Sequence, residues 1–175
     1  MQREDLAITY HVKVSGNRDS IGSLMITNEL MEVYGVTKEK LHTQAMENME
    51  RLSPPVFLPL GEMIVDVMTE DFGRNEGVSQ EEAKEYVKDM IPTGGPNVYC
   101  LTNQYKMNGA VGIMSESIQQ MVADRVGGDY YVLPSSVHEV LIVPQSAGMD
   151  PEELTDMVNT VNEGCVMQDL SLIHI

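Results

Sequence analysis

The chain has 175 residues, of which 42% are hydrophobic and 22% are charged, an ordinary composition for a globular protein of one domain. Eleven basic residues against 27 acidic ones give a formal net charge of −16, which disfavours a general nucleic-acid binder and a protein that docks on anionic lipid. Cys100 and Cys165 form no CxxC pair, so a reducing cytoplasm fits best. Neither an export signal nor a stretch of the roughly 18 to 20 apolar residues that cross a bilayer is predicted.

An N-terminal β-hairpin is predicted by alternating apolar and polar residues. The alternation runs over Asp5 to Val14, and the shorter apolar run Ser23 to Thr27 follows it. The residues between them, Gly-Asn-Arg-Asp-Ser at 16–20, are typical of a turn. We therefore expect two short strands that pair with each other.

Two helices are predicted after this hairpin. Asn28 is expected to cap a short helix that runs through Tyr34, and Gly35 is expected to end it. Thr37 is expected to cap a longer helix that ends at Ser53-Pro54-Pro55, because proline cannot continue the helical hydrogen bonds. The apolar residues of the longer helix recur every three or four positions on one face: Leu41, Ala45, Met49 and Leu52.

Two more helices are predicted in the middle of the chain. Gly61 to Met68 is typical of a short amphipathic helix, and residues 69–78 (TEDFGRNEGV) are expected to form a polar loop. Ser79, with Glu82 three positions later, matches a capping box that opens the next helix. Residues 92–96 (PTGGP) are expected to end it. The apolar face of this helix is predicted to hold Ala83, Tyr86, Val87 and Met90.

A second strand pair is predicted over Asn97 to Thr102 and Ala110 to Met114. Asn108-Gly109 is the strongest turn signal between the two runs. Ser115 is expected to cap a helix that ends at Gly127-Gly128. The buried face of this helix is predicted to hold Ile118, Met121, Val122 and Val126.

The clearest hairpin is Tyr130 to Pro144 (YYVLPSSVHEVLIVP), where two alternating apolar runs flank a Pro-Ser-Ser turn. A helix from Asp150-Pro151 follows, with apolar positions Leu154, Met157, Val158 and Val161. Strand, strand and helix thus occur in this order three times, and short connections favour antiparallel pairing. We therefore predict an α+β fold, with a mostly antiparallel sheet and helices packed on one face.

The last six residues, Leu170 to Ile175 (LSLIHI), resemble the translation of a transposon adapter used in sequencing libraries. We predict that they are an artefactual tail and that residues 1–169 form a single α+β domain. The alternative is a natural apolar terminal strand.

Three segments together resemble a known family: Ser23 to Leu52, Asn97 to Met114, and Tyr130 to Pro144 with the following DPEELTDMVNTVNEG. Their shared features are a short helix ending in aromatic-Gly-Val, an Ala-x-Glu-Asn-like stretch, and LPSS-[VI]-HEV before Asp-Pro-Glu-Glu. The pattern resembles the bacterial domain of unknown function family 5688. The resemblance implies a longer bacterial protein, here represented by an internal fragment, and it implies no catalytic residue.

His138-Glu139 is the strongest candidate for chemistry, because an imidazole beside a carboxylate can supply a general base or a metal ligand. Adjacent strand residues point to opposite faces, however, which favours one partly buried residue, one exposed residue and a structural histidine. Ser136 in the preceding turn is a candidate nucleophile, although no GxSxG motif surrounds it. Cys100 can meet His138 if the two hairpins adjoin, or it is a small buried residue of a strand.

Motifs for metals and cofactors are missing from the sequence. It holds no HExxH, no DxDxDG loop and no Cys/His cluster, and its Gly-Gly pairs lack the surroundings of a nucleotide site. Glu81-Glu82 and Glu152-Glu153 fall in first helical turns, where carboxylates complement the helix dipole. We therefore predict no metal and no cofactor.

Three hypotheses about function follow. The leading one is a non-enzymatic cytoplasmic module that binds a protein partner, or a second copy of itself, through a sheet edge or an apolar groove. The second is a hydrolase-like or metal-assisted enzyme that uses His138 with Glu139, Ser136 or Cys100, and it requires these groups to converge in a cleft. The third is a scaffold fragment, which predicts exposed apolar surface at Asp5 to Val14 or beside the final helix. Neither nucleic acid nor a membrane is an expected partner.

Overall fold

The computed structural model describes residues 2–3, 6–16, 21–90 and 97–156. The strands of this part are β1 Gln2–Arg3, β2 Leu6–Ala7, β3 His11–Gly16, β4 Ile21–Met25, β5 Pro55–Pro59, β6 Tyr99–Asn103, β7 Tyr130–Pro134 and β8 Val140–Pro144. The α-helices are α1 Asn28–Tyr34, α2 Lys38–Leu52, α3 Leu60–Glu76, α4 Gln80–Met90 and α5 Glu116–Val126. Gly109–Met114 and Gln145–Ala147 form 3-10 helices, and residues 151–156 are helical.

The predicted N-terminal hairpin is confirmed as β3 and β4. The two strands pair antiparallel with His11 opposite Met25, and a β-bulge at Val14 shifts the register. The first strand is shorter than predicted, since β2 ends at Ala7 and pairs with β1. Residues 17–20 of the predicted turn lie outside the described residues.

The caps of α1 and α2 are close to those predicted. Thr27, rather than Asn28, is the N-cap of α1, because Thr27 has extended backbone and its hydroxyl accepts a hydrogen bond from the Leu30 amide at 3.4 Å. Gly35 ends α1 in the left-handed region, with a φ of 61°, as predicted. Thr37 caps α2, which confirms the second assignment.

The chain between α2 and α4 departs from the prediction. The sequence pattern does not predict β5, because proline stands at both of its ends. The loop expected over residues 69–78 is wrong, since α3 runs on over Leu60–Glu76 and Gly77 ends it. Gly73 lies within α3, and a Cβ on it would make ordinary contact with the Cβ of Ala83 on α4, at 3.8 Å.

The capping box of α4 is confirmed. A carboxylate oxygen of Glu82 accepts hydrogen bonds from the amide and the hydroxyl of Ser79, at 3.1 and 2.8 Å, and the Ser79 hydroxyl accepts one from the Glu82 amide. Ala83 and Val87 are buried as predicted. Tyr86 instead stacks on a phenylalanine of α3 and remains exposed.

The second predicted strand pair is wrong in one half. Tyr99–Asn103 is a strand, but Ala110 to Met114 belongs to a 3-10 helix. Both sides of β6 are occupied by β5 and β8, so a local partner has no backbone groups left to pair with. The Gly109 amide instead donates to the His138 carbonyl oxygen at 3.0 Å, which ties the 3-10 helix to the chain just before β8.

The main sheet has four strands in the order β5-β6-β8-β7, and every neighbouring pair is antiparallel. The hairpin predicted over Tyr130 to Pro144 is confirmed, with Val132 opposite Ile142. The helix predicted after Ser115 is confirmed as α5. The Ser115 hydroxyl does not cap it, however, because it donates to the carboxylate of Glu50 on α2.

Apolar clusters cover both faces of this sheet. Along β8, successive side chains alternate between the two clusters, as strand geometry requires. The first cluster joins the sheet to α5, whose predicted buried face is confirmed, and contains Phe57, Leu101, Ile113, Ile118, Val122, Val140 and Ile142. The second contains Val98, Leu133, Val143 and Leu154.

The predicted α+β fold class is confirmed. The strand-strand-helix order holds at β3-β4-α1 and again at β7-β8, and it fails at β6, where a 3-10 helix replaces the second strand. Within the described ranges, no helix is long and apolar enough to cross a membrane. Predictions about the Met90 side chain, residues 91–96 and residues 157–175 lie outside the described residues.

Candidate functional site

The turn between β7 and β8 is closed by its own polar side chains. The hydroxyls of Ser135 and Ser136 both donate to one carboxylate oxygen of Glu139, at 3.1 and 2.9 Å. The Ser136 hydroxyl also accepts a hydrogen bond from the His138 amide at 2.9 Å. The Ser136 hydroxyl therefore stabilises the turn as both a donor and an acceptor of hydrogen bonds, as serine commonly does in such turns.

His138 is held by a different set of partners. Its Nδ1 accepts a hydrogen bond from the Asn108 amide at 3.1 Å, so the neutral ring carries its proton on Nε2. Its carbonyl oxygen accepts from the Thr102 hydroxyl at 2.7 Å and from the Gly109 amide at 3.0 Å. His138 and Glu139 thus make separate hydrogen bonds. Both residues lie in the turn before β8 and both are partly buried, so the prediction of one partly buried and one exposed strand residue is wrong, because strand alternation does not apply in the turn.

Cys100 lies inside β6, where only 1% of its surface is exposed. Burial, and to a smaller extent the Glu139 carboxylate, raises the pKa of the Cys100 thiol to about 11. The thiol is therefore protonated at neutral pH and is a poor nucleophile. The structure brings Cys100 near Glu139 but gives it no hydrogen bond to His138.

The acidic pairs predicted as caps lie at helix starts. Glu82 belongs to the capping box of α4, and Glu153 accepts a hydrogen bond from the Asp150 amide at 3.1 Å. Within the described ranges, no group of three or more His, Cys, Asp and Glu side chains is arranged to hold a metal ion. Two surface depressions, one at the α1–α2 junction and one at residues 151–156, do not border His138.

A strained loop, residues 104–108, lies beside this turn, and the sequence predicted a turn at its end, Asn108-Gly109, but not its contact with His138. Lys106 and Asn108 have φ values of 53° and 54°, which are uncommon for residues other than glycine. The buried side chain of Asn103 holds the loop: its amide donates to the Met107 carbonyl oxygen at 2.7 Å, and its carbonyl oxygen accepts from the Tyr105 amide at 2.9 Å. Asparagine is a loop former, but its partners here follow only from the fold.

The two outer edges of the four-stranded sheet differ in their hydrogen bonding. On β5, the Gln104 amide donates to the Pro54 carbonyl oxygen, so by antiparallel alternation Pro55, Phe57 and Pro59 point their backbone groups outward. The two prolines have no N–H group, and Arg125 donates to the Phe57 carbonyl oxygen at 3.0 Å. The β5 edge is therefore protected.

The β7 edge has less protection in the described part of the chain, because only Pro134 among its outward-directed residues lacks an N–H group. The Gln145 amide donates to the Asp129 carbonyl oxygen at 3.0 Å, so alternation directs the N–H and C=O groups of Tyr130 and Val132 away from β8. No described strand pairs with this edge. The strand, YYVLP, carries no charged residue, and charge is the common means of blocking an exposed edge.

The fold and these contacts define a small acidic α+β protein built on a four-stranded antiparallel sheet with one protected edge and one edge, β7, with which no described strand pairs. The chain belongs to DUF5688, a family of unknown function, whose model matches residues 1–172. The resemblance inferred from the sequence is thereby confirmed. No curated protein and no solved structure matches the chain.

Proposed function

We propose that this protein is a non-enzymatic module that binds an extended segment of a partner protein along the outer edge of β7. The observation that carries the proposal is the set of outward-directed backbone groups at Tyr130 and Val132, with which no described strand pairs. A partner strand would hydrogen-bond to these groups and extend the sheet. A cytoplasmic location belongs to the same proposal, and the free, buried thiol of Cys100 supports it.

The chemistry of the partner follows from charge. The edge itself is uncharged and apolar, and Val132 has 37% of its surface exposed. Asp129 stands immediately before the strand, and the whole chain carries a net charge of −16. The fitting partner is a strand of alternating apolar residues with lysine or arginine at its ends, because opposite charge speeds encounter and sets specificity.

The contacts of residues 135–139 favour this proposal over the enzyme hypothesis. An enzyme would need His138, Glu139, Ser136 or Cys100 to converge on an open cleft. The Glu139 carboxylate instead accepts hydrogen bonds from two turn serines, Nδ1 of His138 accepts one from a backbone amide, and the Cys100 thiol is protonated. Each group has a structural role in the described residues.

The test uses a fluorescein-labelled synthetic peptide, Lys-Lys-Val-Thr-Val-Thr-Val-Lys-Lys, and the ¹⁵N-labelled full chain. We expect saturable binding by anisotropy, and backbone amide shifts centred on Tyr130 and Val132. Val132→Pro removes the outward N–H and should weaken binding by about tenfold or more. The matched control, Val132→Thr, keeps the N–H and the strand propensity and should stay within about threefold of the unchanged protein.

Several outcomes would contradict the proposal. Equal affinities of the proline and threonine variants would show that the outward N–H takes no part, and shifts centred on β5 would place the peptide elsewhere. A peptide with glutamate in place of lysine should bind more weakly, and the difference should shrink as salt is added. Binding that appears only after removal of residues 157–175 would assign the edge to this chain's own C-terminal segment.

A further inference from the structure

The β3–β4 hairpin carries an apolar face that is separate from the β7 edge. Val12 and Leu24 are directly opposite each other in the ladder, and 48% and 51% of their surfaces are exposed. Val14, the bulge residue two positions beyond Val12, is 70% exposed. Cross-strand apolar pairs of this kind stabilise a hairpin only weakly unless a second layer covers them. We call Val12, Val14 and Leu24 the hairpin face.

The Tyr10 hydroxyl, on the same side of the hairpin as Val12, is hydrogen-bonded to Nδ1 of His42 on α2 at 2.8 Å. The opposite side of the hairpin meets the loop after β6. Lys13 and Ser23 face each other on that side, and the Lys13 ammonium lies 5.7 Å from the centre of the Tyr105 ring. Successive strand residues alternate in direction, so Val12 and Leu24 point away from this contact. Their exposures show that the described residues leave the hairpin face largely uncovered.

The distribution of charge identifies what can cover this face. Residues 1–27 hold three acidic and three basic residues, so their net charge is zero. The remaining 24 acidic and 8 basic residues, obtained by subtracting these from the totals of 27 and 11, give residues 28–175 the whole net charge of −16. Two copies of an acidic chain repel each other over most of their surfaces, and the neutral hairpin region is where they can approach without that cost.

We propose that a second copy of this chain packs on the hairpin face, so that the two hairpins meet with Val12, Val14 and Leu24 at the centre of a dimer. The interface uses a surface other than β7 and does not depend on the proposed peptide binding. A hairpin face is smaller than the roughly 800 Å² per partner of a standard interface, so the dimer is reversible and depends on concentration. Salt screens the remaining repulsion between two acidic chains, so it should increase the affinity of the dimer. The same salt should lower the affinity of a basic peptide for the β7 edge.

The test is sedimentation velocity of the full chain over a series of protein concentrations, at low and at high sodium chloride. We expect the dimer fraction to rise with the protein concentration and with the sodium chloride concentration. Leu24→Glu places two carboxylates at the centre of the interface and should raise the dimer dissociation constant by about tenfold or more. The matched control is Val137→Glu, which adds the same charge at an apolar turn residue that is 44% exposed, and it should leave the dimer unchanged.

Rescue by opposite charge makes the test specific. An equimolar mixture of Leu24→Glu and Leu24→Lys chains should restore dimers that neither variant forms alone. If far-UV circular dichroism shows that Leu24→Glu is unfolded, Leu24→Thr, which keeps strand propensity, takes its place, and the same loss of dimer is expected. A chain that stays monomeric at every concentration and salt level would overturn the proposal. So would a dimer that survives the Leu24 variants, one that Val137→Glu dissociates equally, or one that Val132→Pro dissociates instead.

Discussion

Gly109 is the position where a single added methyl group should do most harm. It lies where the loop after β6 passes between Thr102 and the turn before β8, and it is buried. A methyl group on Gly109 would lie 2.5 Å from the Thr102 hydroxyl, 2.6 Å from the Asn103 backbone nitrogen and 2.7 Å from the His138 carbonyl oxygen. Two of these three atoms belong to the backbone and cannot rotate away, so Gly109→Ala must push chain segments apart.

The cost of Gly109→Ala can be worked from these contacts. Overpacking of a filled site costs ~1–3 kcal/mol. The shift also disrupts two hydrogen bonds to the His138 carbonyl oxygen, from the Gly109 amide at 3.0 Å and the Thr102 hydroxyl at 2.7 Å, each contributing ~1 kcal/mol. We expect a loss of ~3–5 kcal/mol in the free energy of unfolding, a large share of the ~5–15 kcal/mol typical of a folded domain.

Urea unfolding followed by far-UV circular dichroism measures this loss, since the chain has no tryptophan to report by fluorescence. With an m value of ~2 kcal/mol/M, the midpoint of Gly109→Ala should fall by ~1.5–2.5 M. Gly112→Ala is the control: it lies in the same 3-10 helix, but its methyl group would meet only the Ile118 side chain, at 3.6 Å. An unchanged midpoint for Gly109→Ala, or an equal fall for Gly112→Ala, would show that close contacts around Gly109 do not limit the stability of the fold.

Three further predictions concern single side chains. Thr69 is buried and its hydroxyl has no hydrogen-bond partner among the described residues, so Thr69→Val should raise the free energy of unfolding by ~1 kcal/mol in urea titrations. A fall in the free energy of unfolding would contradict this. In a Cys165→Ser background, Cys100 of the folded chain should resist iodoacetamide at pH 8, because its burial and its raised pKa of about 11 keep the thiol covered and protonated. The thiol should react once urea unfolds the chain. Rapid labelling of the folded chain would contradict this prediction. Hydrogen bonds from Ser115 and a neighbouring serine lower the pKa of the Glu50 carboxyl. The stability that the ionised carboxylate contributes is therefore fully present above the pKa of the unfolded chain, and it is lost as pH falls through the lowered pKa of the folded chain. Glu50→Gln should therefore cost no more than ~1 kcal/mol at pH 7, given the exposure of the carboxylate, and the difference from the unchanged chain should vanish in acid.

The candidate site was only partly accessible from the sequence. The adjacent pair His138 and Glu139 could be identified from the sequence, and strand alternation predicted that their side chains would not share a site. The partners of His138 could not be found, because Asn108, Thr102 and Gly109 come from another part of the chain and meet His138 only after β6 and β8 pair.

The features that could be predicted from the sequence are local. The capping hydroxyl of Thr37, the Ser79-Glu82 box, the stop at Gly35 and the Tyr130 to Pro144 hairpin each depend on residues within one turn or one hairpin, so short spacings suffice to predict them.

The tertiary structure alone decided where strands begin and which edges stay open. Pro55–Pro59 becomes a strand because β6 lies beside it, and Ala110 to Met114 is excluded from the sheet because β6 already has two neighbours. Arg125 of α5, 68 residues away along the chain, donates to the Phe57 carbonyl oxygen and so protects the β5 edge. No described strand pairs with the outer edge of β7. The physical reason is that backbone hydrogen bonds between strands join residues distant in sequence, and no local spacing records which of them will be satisfied.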